Sequence, residues 1–194
     1  MAFEQFLSEY GTPQPRTGAD LAQLGLEQSK GVVDFVSVVG GGIFDNGLIS
    51  IASVREAIPG LGGWERWLPP GSRLFGCSVF GVLLTTVRDD LWLVETQYGQ
   101  VVESDFTFSK FIDTLAEPAT RDEILQAPLF RAWHELGGRL EPTQVLCPTP
   151  APALGGSWAI ESLSPMSLPV YLSFTAQLFD AEGDGQVEVR RRAT

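Results

Sequence analysis

The 194-residue sequence contains few of the side chains on which hydrolytic enzymes and metal sites commonly depend. It has a single histidine, His134, and two cysteines, Cys77 and Cys147, which lack CxxC spacing. A Ser-His-Asp triad or a histidine-based metal site would have to use His134 with partners that the sequence does not indicate. We therefore expect His134, next to Trp133, to lie at the edge of a packed helix. We expect both cysteines to be buried or half-buried packing residues, because a structural disulfide is unusual in a reducing cytoplasm.

Long apolar runs are also missing. No stretch of the sequence approaches the roughly 20 apolar residues that a membrane-spanning helix needs. The first ten residues, MAFEQFLSEY, are acidic and mixed in polarity, unlike a secretory signal. These two absences predict a cytoplasmic protein with no membrane partner.

Positive charge is scarce as well. The chain has 13 Lys and Arg residues against 24 Asp and Glu residues, a net charge of −11. Because Lys and Arg carry most phosphate binding, this balance disfavours direct contact with nucleic acid. It favours a basic protein partner, since complementary charge accelerates encounter and suppresses wrong partners. An acidic surface that serves solubility alone is the alternative.

What the sequence does have is the material for a core. Hydrophobic residues make up 44% of the chain and charged residues 19%, with five Trp and twelve Phe. This is the composition of a folded globular protein. The length allows one substantial core, or two small lobes that share one.

Two glycine-containing stretches come close to catalytic motifs and fail. The run Gly40-Gly41-Gly42 would need a glycine at position 45 to form a dinucleotide fingerprint, and Asp45 stands there. The segment Gly76–Gly81 would need a glycine at position 80 to form the GxSxG turn of a serine hydrolase, and Phe80 stands there. Neither motif supports an enzyme.

A third near-match concerns calcium. Asp180, Glu182, Asp184 and Gly185 imitate the first half of a calcium-binding loop, but its twelfth position is Arg191 instead of a bidentate glutamate. A turn that leads into a tail or a frayed strand explains these residues better. We predict no metal and no cofactor.

Paired carboxylates provide no catalytic frame either. Asp89-Asp90 is explained as a turn, and Asp122-Glu123 as the start of a helix, where negative charge suits the dipole. The sequence thus predicts a protein that is not an enzyme. An enzyme built on these acids and His134 stays an open alternative.

The hydrophobic pattern changes period along the chain. Predicted helices in the first part are Ala2–Tyr10, Ala19–Gln28 and Gly31–Val39, the last ending at the turn Gly40–Gly42. Predicted strands are Gly47–Ile51, Leu74–Cys77, Val79–Thr86, Leu91–Thr96 and Gln100–Ser104. The last four form an antiparallel meander with short polar turns. The segment Leu91–Val94 is apolar on both faces, which predicts a central strand.

Helical spacing returns after the meander, at Phe108–Leu115. The capping box Thr120–Glu123 predicts the start of the next helix, and Pro128 suits the first turn of another. A short strand is predicted at Gln144–Leu146. The nearly all-apolar run Val170–Phe179 predicts a buried helix. The fold class is therefore α+β, an antiparallel β-meander flanked by helices, with a mostly helical C-terminal region.

The N-terminal part of the sequence resembles a known domain. From about Phe35 to Leu115 it is similar to GAD-like domains, which are related in style to the SUKH superfamily of immunity proteins. The matching landmarks are Val39–Gly42, Asp45–Leu48, Trp64 and Phe80-Gly81.

The C-terminal part, about Leu129 to Asp180, resembles the companion domain of type VI secretion DNase-immunity proteins. Its landmarks are Leu129-Phe130, Leu136-Gly137, Pro152–Gly156, Tyr171-Leu172 and Ala176–Leu178. The two resemblances imply a GAD-like domain at 1–117, an immunity-family C-terminal domain at 118–182 packed on the first, and a tail or frayed strand at 183–194. Turns and cores require Gly and Leu, so the landmarks are expected to be structural.

The resemblance implies an immunity protein that binds a cognate toxin, a basic protein of the nuclease type, and blocks its active site. Exposed acidic turns are the expected contacts. The candidates are Asp45, Asp89, Asp90, Glu103 and Asp105. The alternative function is a SUKH-like binding module with a regulatory or scaffolding partner.

Overall fold

The computed structural model describes residues 3–14, 17–180 and 187–191. These residues form an α+β fold in which an antiparallel sheet is flanked by helices, and a long helix occupies the C-terminal region. The fold class expected from the sequence is confirmed.

The α-helices lie mostly at the two ends of the chain. They are α1 (Glu4–Tyr10), α2 (Leu21–Leu24), α3 (Lys30–Val38), α4 (Phe108–Leu115), α5 (Pro118–Ile124), α6 (Ala127–Glu135) and α7 (Leu168–Asp180). The strands are β1 (Gly42–Phe44), β2 (Ile49–Ile51), β3 (Arg73–Ser78), β4 (Val82–Val87), β5 (Asp90–Glu95), β6 (Gln100–Glu103), β7 (Gln144–Pro148), β8 (Leu163–Ser167) and β9 (Glu188–Arg190). Short 3₁₀ helices occur at Asp45–Gly47, Trp64–Trp67, Pro152–Leu154 and Ile160–Ser162.

The main sheet contains seven strands in the order β1-β2-β3-β4-β5-β6-β9. Neighbours from β1 to β6 pair antiparallel in chain order, as a meander requires, and β9 adds to β6 in parallel. The segment Leu91–Val94 lies in β5, between β4 and β6, as its pattern predicts. Strands β7 and β8 form a separate antiparallel pair.

Each face of the main sheet is covered by its own apolar cluster. On one face, side chains from α1, α3, α4 and α6 surround Phe6, Phe35, Phe44 and Phe111, which are all buried. On the other face, α7 packs through Tyr171 and its neighbours on residues of β3, β4 and β5. Alternation along the strands supplies both clusters, because successive side chains of a strand point to opposite faces.

Two predicted helix boundaries are wrong. The second helix ends at Leu24 because Gly25 adopts a left-handed conformation with φ 67° and terminates it. The capping box at Thr120 does not start a helix, since α5 already begins at Pro118. Proline has a preset helical φ and no N–H to leave unpaired, which favours it as the first helical residue.

The strand predictions also need correction at their ends. Strand β4 begins at Val82 and not at Val79, because Gly81, with φ 78°, completes a turn between β3 and β4. Strand β1 directly follows the glycine run and was not expected. Residues 188–190 of the expected tail form β9, while 183–186 and 192–194 lie outside the described residues. Three of the calcium-like residues, Glu182, Asp184 and Gly185, also lie outside the described residues.

The prediction that Val170–Phe179 is buried holds for one side of α7 only. Tyr171, Leu172 and Ala176 are buried, whereas Val170 is 58% exposed and Phe174 is 37% exposed. The exposed side also carries Ser173 and Gln177, which lie at helical spacing from Val170 and Phe174 and are both exposed.

The cysteines provide a first testable prediction. Both are free and buried, as expected from the sequence. Burial raises the pKa of Cys77 to about 12, and burial also raises that of Cys147. Because the thiolate is the reactive form, neither is expected to react with a thiol reagent at pH 8 until the protein unfolds. Mass spectrometry after brief alkylation, with and without denaturant, measures this. Rapid labelling of Cys77 in the native protein would contradict it.

Candidate partner-binding surface

The structure brings four of the five predicted contact residues to one end of the sheet. Asp89 lies in the turn between β4 and β5, and Asp90 is the first residue of β5, opposite Val87. Glu103 pairs with Trp92 at the end of β6, and Asp105 follows two residues later. Asp89, Asp90 and Asp105 are exposed, and Glu103 is half-buried. We call these four residues the acidic edge.

Asp45 lies elsewhere. It follows β1, at the end of the sheet opposite the acidic edge, and its carboxylate accepts a hydrogen bond of 3.0 Å from Arg131. That bond holds the pKa of Arg131 above its usual range. Arg131 also contacts Glu9, which pairs in turn with Arg121. Asp45 thus belongs to an ion-pair network that joins α1, α5 and α6 to the sheet.

A basic group accompanies the acidic edge. Lys30 forms an exposed ion pair with Asp34 on α3, and its pKa is raised first by that hydrogen bond and further by the charge of Asp89. An exposed aromatic ring, Phe106 at 45% exposure, follows Asp105. The edge is therefore a negatively charged rim beside an apolar contact, a combination common at protein interfaces.

A pocket lies at the opposite end of the sheet. It has a volume of about 420 Å³ and is bounded by the end of β5, by the turn before β4 and by the α5–α6 connection. Its aromatic walls are Phe80, Tyr98 and Trp158, and its acidic residues are Glu95 and Glu123. We call it the β5 pocket.

Hydrogen bonds and ring contacts orient the aromatic wall of the β5 pocket. The indole N–H of Trp158 donates to the Tyr98 hydroxyl at 2.8 Å. The Trp158 ring meets Phe80 edge-on, with centroids 5.3 Å apart and planes at 89°. These two contacts orient the Trp158 indole against the pocket.

Glu95 is one of the two acidic residues that line the β5 pocket. It is half-buried, and burial raises its pKa, while Arg190 on β9 opposes this shift and Glu123 adds to it. Among the described residues, no side chain hydrogen-bonds the Glu95 carboxylate. Arg190 itself makes two hydrogen bonds to Glu188, at 2.8 and 2.9 Å. A half-buried carboxylate without a donor is a favourable place for a cation.

The floor of the β5 pocket is held from the other face of the sheet. The Tyr171 hydroxyl on α7 lies 2.6 Å from the Thr96 hydroxyl and donates to the Phe80 carbonyl at 3.3 Å. The Gln97 amide donates to the same Tyr171 oxygen. A side chain at Gly81 would collide with the Tyr171 ring, since a Cβ there would lie 2.3 Å from Cε1. Two landmarks of the resemblance, Phe80-Gly81 and Tyr171, therefore meet in space.

A second buried polar group lies under β2. Glu56 is 4% exposed and accepts hydrogen bonds from Ser50 and from the backbone and hydroxyl of Ser53. Burial raises the pKa of Glu56, and these hydrogen bonds oppose the shift. Neighbouring Arg55, 1% exposed, donates to the carbonyls of Gly47 and Pro142. These hydrogen bonds all join Arg55 and Glu56 to other groups of the same chain. The two residues therefore hold β2 against the neighbouring loops, and we do not assign them to partner binding.

Sequence reasoning missed the β5 pocket. Glu95 lies within the predicted strand Leu91–Thr96, Tyr98 lies between that strand and the next, and Trp158 is 60 residues further along the chain than Tyr98. Their meeting depends on non-local packing. The only local signal is an aromatic residue, Trp158, in a polar glycine-containing loop.

Neither His134 nor the other residues that could ligate a metal form a metal site within the described residues. His134 stacks on Phe130 at the edge of α6, with ring centroids 5.9 Å apart, as expected. Within 3–14, 17–180 and 187–191, no group of three or more His, Cys, Asp or Glu residues is arranged to hold a metal ion. In the same ranges, no helix has the length and apolar character needed to cross a bilayer.

Comparison with known protein families gives a match in the region that contains α4 to α7. Residues 105–179 match the family described as "T6SS immunity protein Tdi1, C-terminal". This match supports a type VI secretion immunity family for this part of the chain. The resemblance read from the C-terminal landmarks is therefore confirmed at the level of that family. The match contains Asp105 of the acidic edge and Glu123 and Trp158 of the β5 pocket.

The fold has a counterpart among solved structures. The chain is similar to the crystal structure of Atu4351 from Agrobacterium tumefaciens, with a TM-score of 0.64 and 19% sequence identity, over 90% of this chain and 88% of that one. At this identity the likeness shows the fold alone. No curated protein matches the sequence.

Proposed function

We propose that the protein is an immunity protein that binds a cognate type VI effector, a basic nuclease, and neutralises it by covering its active site. The family match over residues 105–179 carries this proposal, because proteins described by that family are immunity proteins. The GAD-like assignment of the N-terminal part, and the division at 117/118, belong to the proposal as well. In it, the protein acts in the cytoplasm, where a nuclease would reach the chromosome.

The charge of the chain supports a nuclease as the target. A nuclease holds phosphates in a positively charged groove. The net charge of −11 and the exposed aspartates of the acidic edge complement such a groove. Binding there would exclude the nucleic-acid substrate by occupying its place. It would require no catalytic group on the immunity protein.

Co-expression with the toxin encoded beside this gene tests the proposal. Cells that produce the toxin and this protein are expected to grow, whereas cells that produce the toxin alone are expected to lose viability. With purified proteins, binding is expected to weaken as salt concentration rises, because exposed charges are screened over about 10 Å at 0.1 M salt.

The opposite outcome identifies the alternative function. If the toxin kills equally well with and without this protein, and no complex forms, the immunity proposal is wrong. A binding module with a regulatory or scaffolding partner would then be the remaining function. The family's own toxin–immunity pairing makes the adjacent gene the natural choice of toxin.

A further inference from the structure

We propose that the β5 pocket binds an arginine side chain of the toxin and so provides the specific anchor of the complex. This inference rests on the proposed immunity function and names the chemistry that its partner presents. Three properties of the pocket carry it: its two carboxylates, its aromatic wall and its preformed floor.

The carboxylates select a cation. Glu95 and Glu123 both line the pocket, and no side chain in the described part of the chain donates a hydrogen bond to the Glu95 carboxylate. The charge of Arg190 acts on Glu95, but the Arg190 guanidinium is already hydrogen-bonded to Glu188. An incoming guanidinium would pair with Glu95 and remove the cost of leaving a half-buried carboxylate without a donor.

The aromatic wall selects arginine over lysine. Trp158 is held by Tyr98 and Phe80, and so presents a fixed ring to the pocket. A planar guanidinium can stack on such a ring while it donates two parallel hydrogen bonds to a carboxylate. A lysine ammonium makes point contacts and is more strongly hydrated, so it gains less from the same surroundings.

The floor is preformed, which limits the cost of binding. Tyr171 fixes both Thr96 and Gln97 from the opposite face of the sheet, and these two residues are buried. Little rearrangement is needed to admit a side chain, and preorganised sites lose less entropy on binding. The volume of about 420 Å³ lies within the usual range of ligand pockets.

The β5 pocket and the acidic edge can serve one complex. Asp90 and Glu95 are the two ends of β5 and are separated by roughly 17 Å at about 3.3 Å per residue. An interface of standard size covers about 800 Å² on each partner, or roughly 30 Å across. We therefore assign different roles to the two sites: the acidic edge accelerates encounter, and the pocket slows dissociation.

A test without the toxin uses N-acetyl-arginine methylamide as the probe. In NMR titrations of the full chain, this compound is expected to shift the Trp158 indole N–H resonance in a saturable way at millimolar concentrations. The uncharged analogue N-acetyl-citrulline methylamide is expected to leave it unchanged. Glu95→Gln should abolish the response to arginine. Equal shifts with both compounds, or no shift with either, would overturn the inference.

A second test uses the toxin. Glu95→Gln and Trp158→Leu are each expected to increase the dissociation rate about 10- to 100-fold, with the association rate nearly unchanged. The matched control is Glu141→Gln, an exposed acid in the loop after α6, which should dissociate as the wild type does. Circular dichroism and thermal unfolding verify that each variant is folded.

The two proposals fail in different ways. If the wild type binds and neutralises the toxin, but Glu95→Gln and Trp158→Leu dissociate no faster than the control, the arginine inference is wrong and the immunity function stands. If the wild type does not bind the toxin, the proposed function is wrong, and the arginine titration alone decides whether the pocket takes this side chain.

Discussion

Replacement of Gly81 by alanine is expected to lower the free energy of unfolding by about 2–5 kcal/mol, of which about 1–2 comes from the left-handed backbone and about 1–3 from overpacking. Gly81 has a φ of 78°, which any residue with a Cβ adopts at a cost. The new methyl group would also meet the Tyr171 ring at 2.3 Å. That ring cannot move aside easily, since its hydroxyl is bonded to Thr96, Gln97 and the Phe80 carbonyl.

Gly155→Ala separates these two causes. Gly155 has a similar φ of 83°, but a Cβ there would meet no atom within 4 Å. It should therefore show only the backbone cost, about 1–2 kcal/mol. Chemical denaturation followed by circular dichroism measures both variants. Because a domain of this size is stable by only about 5–15 kcal/mol, the Gly81 variant is expected to unfold at a clearly lower denaturant concentration than Gly155→Ala. Equal losses for the two variants would show that Tyr171 is not tightly seated.

Charge reversal at the acidic edge is expected to have the largest effect on partner binding. The double substitution Asp89→Lys and Asp90→Lys should lower the association rate with the toxin about 10- to 1000-fold at low salt, because steering by complementary charge raises association rates by that range. Both residues are exposed and lie at a turn, so stability should change little. Surface plasmon resonance at two salt concentrations measures the rates.

Glu135→Lys together with Glu141→Lys is the matched control. Both positions are exposed, at the end of α6 and in the loop after it, and the pair changes the net charge by the same four units. If the acidic edge itself steers the toxin, the control variant should associate with the toxin faster than the edge variant does. If both variants bind equally slowly, the total charge of the protein matters and not the acidic edge. At high salt the difference between them should shrink.

The main sheet could be predicted from the sequence because its signals are local. Strands β3 to β6 alternate with short polar turns, and each partner is the next strand in the chain. The errors arose where two local signals competed. Helix α5 begins at Pro118 and not at the capping box at Thr120. Strand β4 begins after the turn at Gly81, although Val79 and Phe80 are apolar enough for a strand.

The candidate partner-binding surface could also be predicted in part from local signals. Four acidic residues could be placed at one end because the meander determines which turns are neighbours. Asp45 differs, since its partner Arg131 is 86 residues away. The β5 pocket depends on a contact between Trp158 and Tyr98 across 60 residues, and no periodicity reports such a contact.

The family landmarks have a structural explanation in α7. This helix lies so close to the sheet and its loops that added methyl groups at Gly62, Gly81 and Gly99 would collide with Leu172, Tyr171 and Phe179, respectively. The glycines and the helix residues therefore require one another. Three of these residues, Gly81, Tyr171 and Leu172, are landmarks of the resemblance, and their packing also supports the floor of the β5 pocket.

The two outer edges of the seven-stranded sheet have a consequence for the proposed inhibition. At β1, the backbone of Ile43 is occupied on its outer side: its carbonyl accepts from Gln14 and its N–H donates to Thr17. At the other side, β6 is covered by β9, a strand of three residues that carries Glu188 and Arg190. Such short, charged outer strands discourage pairing with another chain. We therefore expect that a partner does not bind by extending this sheet. In the proposed complex, recognition would proceed through side chains, which can diverge together with a toxin while the backbone framework stays the same.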